Sequence, residues 1–369
     1  MNVKKENCYS NSKTKSVKII FIRTDLIGDF VLWLSTAVQF RKFYTNSTIT
    51  LLCNQQYVDL ANSLNIFDKV IGLDIKKLRS FDSKYWLKII SALRKNTYDL
   101  AISSMVTRNI IVDTLISFTH AKQKIGINAH YNRPMFMKRF FDCYYDILIE
   151  LSNKPLTELE FNHIFLEKLT NESVKFELVN LFDIFKLPIP KINGLPTKYI
   201  TINLASSVSQ KNWQLKKFIA VTEKLSLDYS IVILGAENER SLATRLINTI
   251  NPKNPIIDMA GKTTLLESIS ILNKSLLFIG NDSALAHLAT LLRVKSIIIL
   301  GGGQFGRFFP YPPELIQSGL QHILYDKMDC YNCNWKCKYP LVNGSWKCIA
   351  EISIEQVLDK ITKILGLSH

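Results

Sequence analysis

The chain has no run of apolar residues near the ~18 that a membrane-spanning helix needs. Its first residues, MNVKKENCYSNSKTKS, lack the apolar core of a secretory signal. Both absences lead to the expectation of a cytoplasmic protein. Acidic residues are also scarce: 31 Asp and Glu stand against 46 Lys and Arg, a net charge of +15 over 369 residues. Such a surplus favours an anionic partner, and nucleic acid, acidic lipid and phosphorylated substrates all qualify. There is no short repeat, only two halves of similar architecture. Cysteine is sparse outside one cluster: Cys8, Cys53 and Cys143 are scattered, and Cys53 ends an apolar strand and reads as core. Hydrophobic content is nevertheless 47%, enough for two cores, and the length predicts about two domains.

Short apolar runs alternate with helical segments along the chain. Residues 1–16 form a polar tail. VKIIFIR (17–23), TITLLC (48–53), KVIGLD (69–74), DLAISS (99–104) and 124–127 read as strands. Helices are predicted over 30–44, 57–65, 86–95 and 110–117. This rhythm implies a parallel sheet covered on both faces. Tyr131 to Glu150 interrupts it with many aromatics and with Arg133, Lys138 and Arg139. That stretch reads as a loop and helix packed on the first domain, or as an acceptor- or membrane-facing edge; Asp142, Asp146 and Glu150 weigh against a membrane. LPIPKINGLPT holds three prolines and a glycine and reads as a linker, placed at 187–198. A second alternation follows, with strands at 199–204, 230–234, 256–257, 276–279 and 296–300. Helices are predicted over 215–225, 239–250, 265–272, 284–292 and 354–365. The domains are therefore set at 17–186 and 199–350, with 351–369 as a terminal helix.

The chain is organised around IGNDSALAHLATLLRVKSIIILGGG (279–303), a strand, a Gly-bearing turn, a helix and a strand ending in three glycines. In such a unit a ligand sits at the carboxyl end of the strand, where unpaired helix amides suit a phosphate. Asp282 or Ser283 can cap the helix, and His287 lies one turn inside it. An ordinary capped helix with a half-buried histidine explains the same spacing.

Gly280-Asn281-Asp282-Ser283 followed by Ala286-His287-Leu288-Ala289 resembles the donor-site signature of glycosyltransferase family 9, the bacterial heptosyltransferases, G-x-D-[ST]-G-x-x-H-[LI]-A. Ala284 and Leu285 stand where many members have Gly and Pro. Arg23-Thr24-Asp25-Leu26-Ile27-Gly28-Asp29 is similar to the family's R-x-x-x-[LIM]-G-D motif, in which the last Asp is the proposed catalytic base. Gly28 is read as the residue that lets the chain turn sharply, with Asp29 at a helix N-terminus as either cap or base. Asn203 to Ser207 followed by Lys211-Asn212-Trp213 resembles the family's hydroxyl turn and K-x-W element. The resemblance assigns Ser206, Ser207 and Lys211 to the donor phosphates, while a solvated surface lysine is the plain alternative. Glu239, or else Glu237, matches the acidic residue that meets the donor ribose or base.

Cys330, Cys333, Cys337 and Cys348 follow C-x2-C-x3-C-x10-C. The first pair has metal-clip spacing, and four thiolates suit tetrahedral zinc or iron in a structural site, while reduced free thiols are the plain alternative. Similar clusters occur in some family members, including those that modify autotransporter proteins.

The resemblance implies the GT-B fold, α/β, with two Rossmann-like domains facing each other across a cleft. It implies an inverting, metal-independent transferase that takes heptose from an ADP-sugar, with no catalytic cofactor. Asp29 would be the base, with Arg23, Asp25 and Gly28 on the acceptor side. Ser206, Ser207, Lys211, Glu239, Asp282, Ser283 and His287 would hold the donor. The expected acceptor is an anionic lipopolysaccharide or lipooligosaccharide core, with peripheral association at the inner membrane. A protein O-heptosyltransferase, a binding protein without turnover and a basic nucleic-acid-binding protein are the alternatives. The dispersed basic residues speak against nucleic acid.

Overall fold

The computed structural model describes residues 16–128, 135–151, 154–186 and 188–366. Residues 1–15 of the tail, with Cys8, lie outside them, as do Tyr131, Arg133, Leu187 and the last three residues. Contacts divide the chain into two units. One runs up to Val179 with Ile184–Lys186; the other comprises Asn180–Asp183 and the chain from 187 onward. Residues 188–198 hold no helix or strand.

In the first unit β1 (Lys18–Arg23), β2 (Thr48–Asn54), β3 (Lys69–Leu73), β4 (Thr97–Ile102), β5 (His120–Ile127) and β6 (Ile147–Ile149) form one sheet in the order 3-2-1-4-5-6. Every pairing is parallel. The second unit holds β7 (Tyr199–Asn203), β8 (Ser230–Leu234), β9 (Ile256–Asp258), β10 (Phe278–Asn281), β11 (Ser296–Ile299) and β12 (Gln321–Leu324), in the order 12-11-10-7-8-9. Its pairings are also parallel throughout. Counted from its own first strand, the second sheet repeats the order of the first, the Rossmann arrangement. In each sheet the order reverses at one seam, β1–β4 and β7–β10. Ligands of open α/β sheets bind outside the strand ends at that seam.

The inner strands β1, β2, β7, β8, β10 and β11 form where apolar, often β-branched residues run together, and they are buried on both faces because helices cover each side. Helix Ile27–Phe43 buries Phe30, Val31, Trp33, Ala37 and Phe40 and has little amphipathic character. Helix Glu158–Thr170 covers its outer side, which is why both faces of Ile27–Phe43 are apolar. In the second unit Trp213, Phe218 and Val221 pack with Val357 and Ile361 of the terminal helix Ile354–Leu365.

Differences from the sequence reading have physical causes. β5 starts at His120, four residues before the expected strand, because its first half alternates exposed and half-buried positions and carries no apolar run. Helix Glu158–Thr170 has no counterpart among the helices expected from the sequence, although Thr157 and Glu160 form a capping box: Glu160 N donates to Thr157 Oγ1 at 3.2 Å and Thr157 N to Glu160 Oε2 at 2.7 Å. The aromatic stretch after 134 forms helix Met135–Asp142 and β6. Phe136 and Phe140 are exposed, while buried Arg108 holds Asp142 at 2.6 Å. No helix among the described residues is long and apolar enough to cross a membrane.

Thr157→Ala removes the cap of the helix that seals Ile27–Phe43. Urea denaturation is expected to show a loss of about 1 kcal/mol. An unchanged midpoint would mean the capping box contributes no stability.

Candidate active site

The first seam places the Arg23–Asp29 motif at the end of β1. Arg23 is fully buried. Its Nη1 donates to Ser104 Oγ at 2.9 Å, at the end of β4, and its guanidinium lies 4.7 Å from the Trp33 ring centre. Its Nη2 pairs with Asp25, which also accepts from the Tyr57 hydroxyl at 3.0 Å. Burial followed by Asp25 holds Tyr57 well above its usual range, so it remains a donor. Arg23 thus anchors the turn from inside, and its buried charge is matched by Asp25.

Helix Ile27–Phe43 starts from Leu26, which offers no side-chain cap. Asp29 is third in the helix and half-buried, in the first turn at the positive end of the helix dipole, and it is not the N-cap residue. Gly28 lies within the helical turn and has no positive φ. The reading of Gly28 as the sharp-turn residue is therefore corrected: extended Leu26, at φ −84° and ψ 170°, carries the change of direction.

The second seam gathers most of the other motif residues. Asn203 and Gly280 are register partners, and a Cβ on Gly280 would stand 3.2 Å from that of Asn203. Trp213 N donates to Asn281 Oδ1 at 2.7 Å, which ties the loop after β7 to the end of β10. Within that loop Ser206 N donates to Asn212 Oδ1 at 2.7 Å and Ser206 Oγ to the Val208 carbonyl at 3.0 Å; Ser207 is exposed. Asn203 Oδ1 and Asn281 Nδ2 are buried without a hydrogen-bond partner. Asn203 Nδ2 donates to Glu239 Oε2 at 3.0 Å, and burial raises the Glu239 carboxyl. Glu237 instead pairs with Arg240 at the surface. Only Glu239 reaches the seam.

Ser283, not Asp282, caps helix Ala284–Leu291 and accepts from Ala286 N at 3.4 Å. Asp282 keeps 17% of its side chain exposed; burial raises its pKa, and the Lys211 charge opposes the rise. His287 Nδ1 is 2.8 Å from the Tyr311 hydroxyl, and its ring stacks on Phe309 with centroids 4.3 Å apart. Burial lowers His287 to about 3, so the ring is neutral, and its Nε2 lies 3.8 Å from Asp282 Oδ1 without forming an ion pair. The motif histidine is thus a buried wall behind Asp282. Sequence spacing gave no sign of Phe309 or Tyr311. A lysine, small hydroxyls and a capped helix N-terminus around one seam are chemistry suited to phosphate.

The cysteine segment folds over the end of β11. A Cβ on Gly302 would meet the Tyr331 ring at 2.2 Å, and one on Gly303 the Trp335 ring at 2.3 Å. The glycine triplet that closes β11 therefore receives two aromatic rings. Cys348 Sγ accepts from Gly302 N at 3.4 Å. Burial, with the neighbouring thiols adding to it, raises the thiols of Cys330 and Cys348. The thiols suit zinc or iron chemically. Among the described residues, however, no three or more His, Cys, Asp or Glu side chains are arranged as a ligand set.

Two Rossmann-like domains of one strand order are the architecture of the GT-B fold. The model of glycosyltransferase family 9 (heptosyltransferase) matches residues 86–336, and the chain belongs to that family. Lipopolysaccharide heptosyltransferase 3 of Escherichia coli is 23% identical over 305 residues, 79% of this chain and 85% of the relative. A family 9 glycosyltransferase from Veillonella parvula superimposes with a TM-score of 0.74 at 20% identity, covering 95% of this chain and 98% of its own. The E. coli heptosyltransferase WaaC with ADP-2-deoxy-2-fluoro heptose gives 0.65 at 15%, covering 94% and 99%. The dodecameric iron-containing heptosyltransferase TibC with ADP-D-beta-D-heptose gives 0.54 at 14%, covering 95% and 77%. At such identities these structures speak to the fold.

The His287 environment sets a pH dependence. The folded ring holds no proton down to about 3, whereas an unfolded one binds it near 6.5. Stability from this group is full above about 6.5 and lost as pH falls toward the folded value. Asp282, raised in the fold, acts in the opposite sense. Between pH 7 and 5 wild type should lose on the order of 1–2 kcal/mol more than His287→Phe. Parallel urea-midpoint profiles for the two proteins would contradict a buried neutral ring.

Proposed function

We propose that this glycosyltransferase moves heptose from an ADP-sugar to a lipopolysaccharide or lipooligosaccharide core, with inversion and without a catalytic metal. The observation that carries the donor half is the β7–β10 seam, where Lys211 lies within the field of Asp282 beside the Ser283-capped helix. Lys211, Ser206, Ser207 and the helix amides would bind the diphosphate and stabilise the charge that builds as it leaves. Asp282 would present a carboxyl whose charge Lys211 offsets, with the neutral His287 ring behind it. Glu239 would meet the ribose or base. Support for heptose and ADP comes from the ligands of WaaC and TibC, and support for the acceptor from the name of the E. coli relative.

In the first unit Asp29 would take the proton of the acceptor hydroxyl as it attacks the anomeric carbon. The bond to the diphosphate oxygen breaks on the opposite face, and ADP leaves. Asp25 is the weaker candidate, because Arg23 and Tyr57 already engage its carboxylate. Arg23, Asp25 and Gly28 would shape the acceptor side from beneath. Exposed Phe136 and Phe140 beside Arg139 support a position against the inner face of an anionic membrane. The four cysteines are proposed as a structural zinc or iron site, supported by the donor set and by the iron-containing TibC.

One experiment tests donor and base together. A thermal-shift panel should show selective stabilisation by ADP-heptose over other nucleotide sugars. Asp29→Asn should keep that shift and lose transfer by at least about a hundredfold. Transfer near the wild-type rate would remove Asp29 as the base, and stabilisation by a UDP- or GDP-sugar instead would remove the donor assignment.

The metal has its own measurement. Purified protein should carry about one equivalent of zinc or iron, and Cys330→Ser should lower metal content and melting temperature together. Four freely titratable thiols in a metal-free protein of unchanged stability would refute the site.

A further inference from the structure

The cysteine segment is joined to the proposed donor lysine. Asn332 N donates to the Gly302 carbonyl at 2.7 Å and Asn334 N to the Gly303 carbonyl at 2.8 Å, so the segment lies directly on the end of β11. Trp335 follows with φ +63°, in the left-handed region that a bulky aromatic residue rarely adopts. Such a conformation persists where the surroundings over-determine it. Here the ring rests on Gly303, where even a methyl group would collide, and Nε1 lies 3.4 Å from Gln304 Oε1. What this arrangement offers outward is an indole face. The Lys211 Nζ lies 4.4 Å from that ring centre.

We propose that Trp335 is a positioning residue: its indole face holds the Lys211 ammonium at the seam, where the donor diphosphate binds. The inference rests on the reading of Lys211 as a phosphate ligand. A lysine has a flexible four-carbon stem and no geometric fork to orient its charge. A cation–π contact restricts that stem and leaves the ammonium its charge. The glycine triplet, the two amide bonds and the left-handed tryptophan then share one purpose, the presentation of a flat ring to a charge carried by another loop.

The test is calorimetric titration of ADP, and of adenosine as a control without phosphates. The proteins are wild type, Lys211→Ala, Trp335→Phe, Trp335→Leu and the Lys211→Ala/Trp335→Leu double variant. Lys211→Ala should weaken ADP about tenfold. Trp335→Leu should weaken it about 2- to 5-fold, the range of a partly exposed cation–π contact, and Trp335→Phe by less. The double variant should bind ADP no more weakly than Lys211→Ala, because both losses act through one ammonium. Adenosine affinity should be the same in every protein. If Lys211→Ala leaves ADP binding unchanged, the donor reading falls and the inference with it. If Lys211→Ala weakens ADP but Trp335→Leu does not, the inference alone is overturned. It is also overturned if the losses multiply, or if adenosine binding falls in step. Should Trp335→Leu fail to fold, Trp335→Phe and Trp335→Tyr carry the test: each must weaken ADP and spare adenosine, and wild-type ADP affinity in both overturns the proposal.

Discussion

Both halves of the molecule obey one constraint: an all-parallel sheet must be covered on both faces. Crossover helices do the covering, so strand interiors are dry and their side chains apolar. Polar chemistry is left to the strand ends, and the seam where the order reverses is where the connections part and leave room. In the first unit that seam lies between Arg23 and Ser104, and in the second between Asn203 and Gly280. The motif residues stand at these ends because the architecture leaves few other places for them.

Buried charge is handled by pairing. Arg23 sits wholly inside, balanced by Asp25, capped by Ser104 and laid against Trp33. Arg108 is treated in the same way, with Asp113 and Asp142. Removing one member of such a set leaves its partner stranded in low dielectric. Substitutions at Arg23 therefore confound activity with folding, and the half-buried Asp29 is the better probe of chemistry.

Much of the fold was legible in the sequence. Runs such as KIIFIR and SIVIL have one plausible fate, and the helices over 110–117, 215–225 and 354–365 follow the sequence reading to the residue. What escaped depends on partners distant in the chain. Helix Glu158–Thr170 mixes polar residues into its apolar spacing and is recognisable chiefly by its capping box. The role of Gly301–Gly303 could not be read locally, because the rings that demand the absence of a Cβ come some thirty residues later. Likewise His287 suggests chemistry until Phe309 and Tyr311 are seen to enclose it. The choice between Asp282 and Ser283 as cap turned on a single backbone geometry.

The seams also bear on how the chain is made. β1 pairs Ile19 with Leu100, and β7 pairs Thr201 with Phe278. Each central pairing waits for a stretch of about eighty residues to leave the ribosome, some seconds at ordinary synthesis speed. Until then β1 and β7 each present an unpaired edge, of the kind that recruits wrong neighbours. Closing so long a loop carries an entropic cost that local hairpins avoid. Each seam is therefore completed only after the outer strands that precede it in the chain have been synthesised. A nascent chain halted before Phe278 would carry the Lys211 loop with nothing to close it.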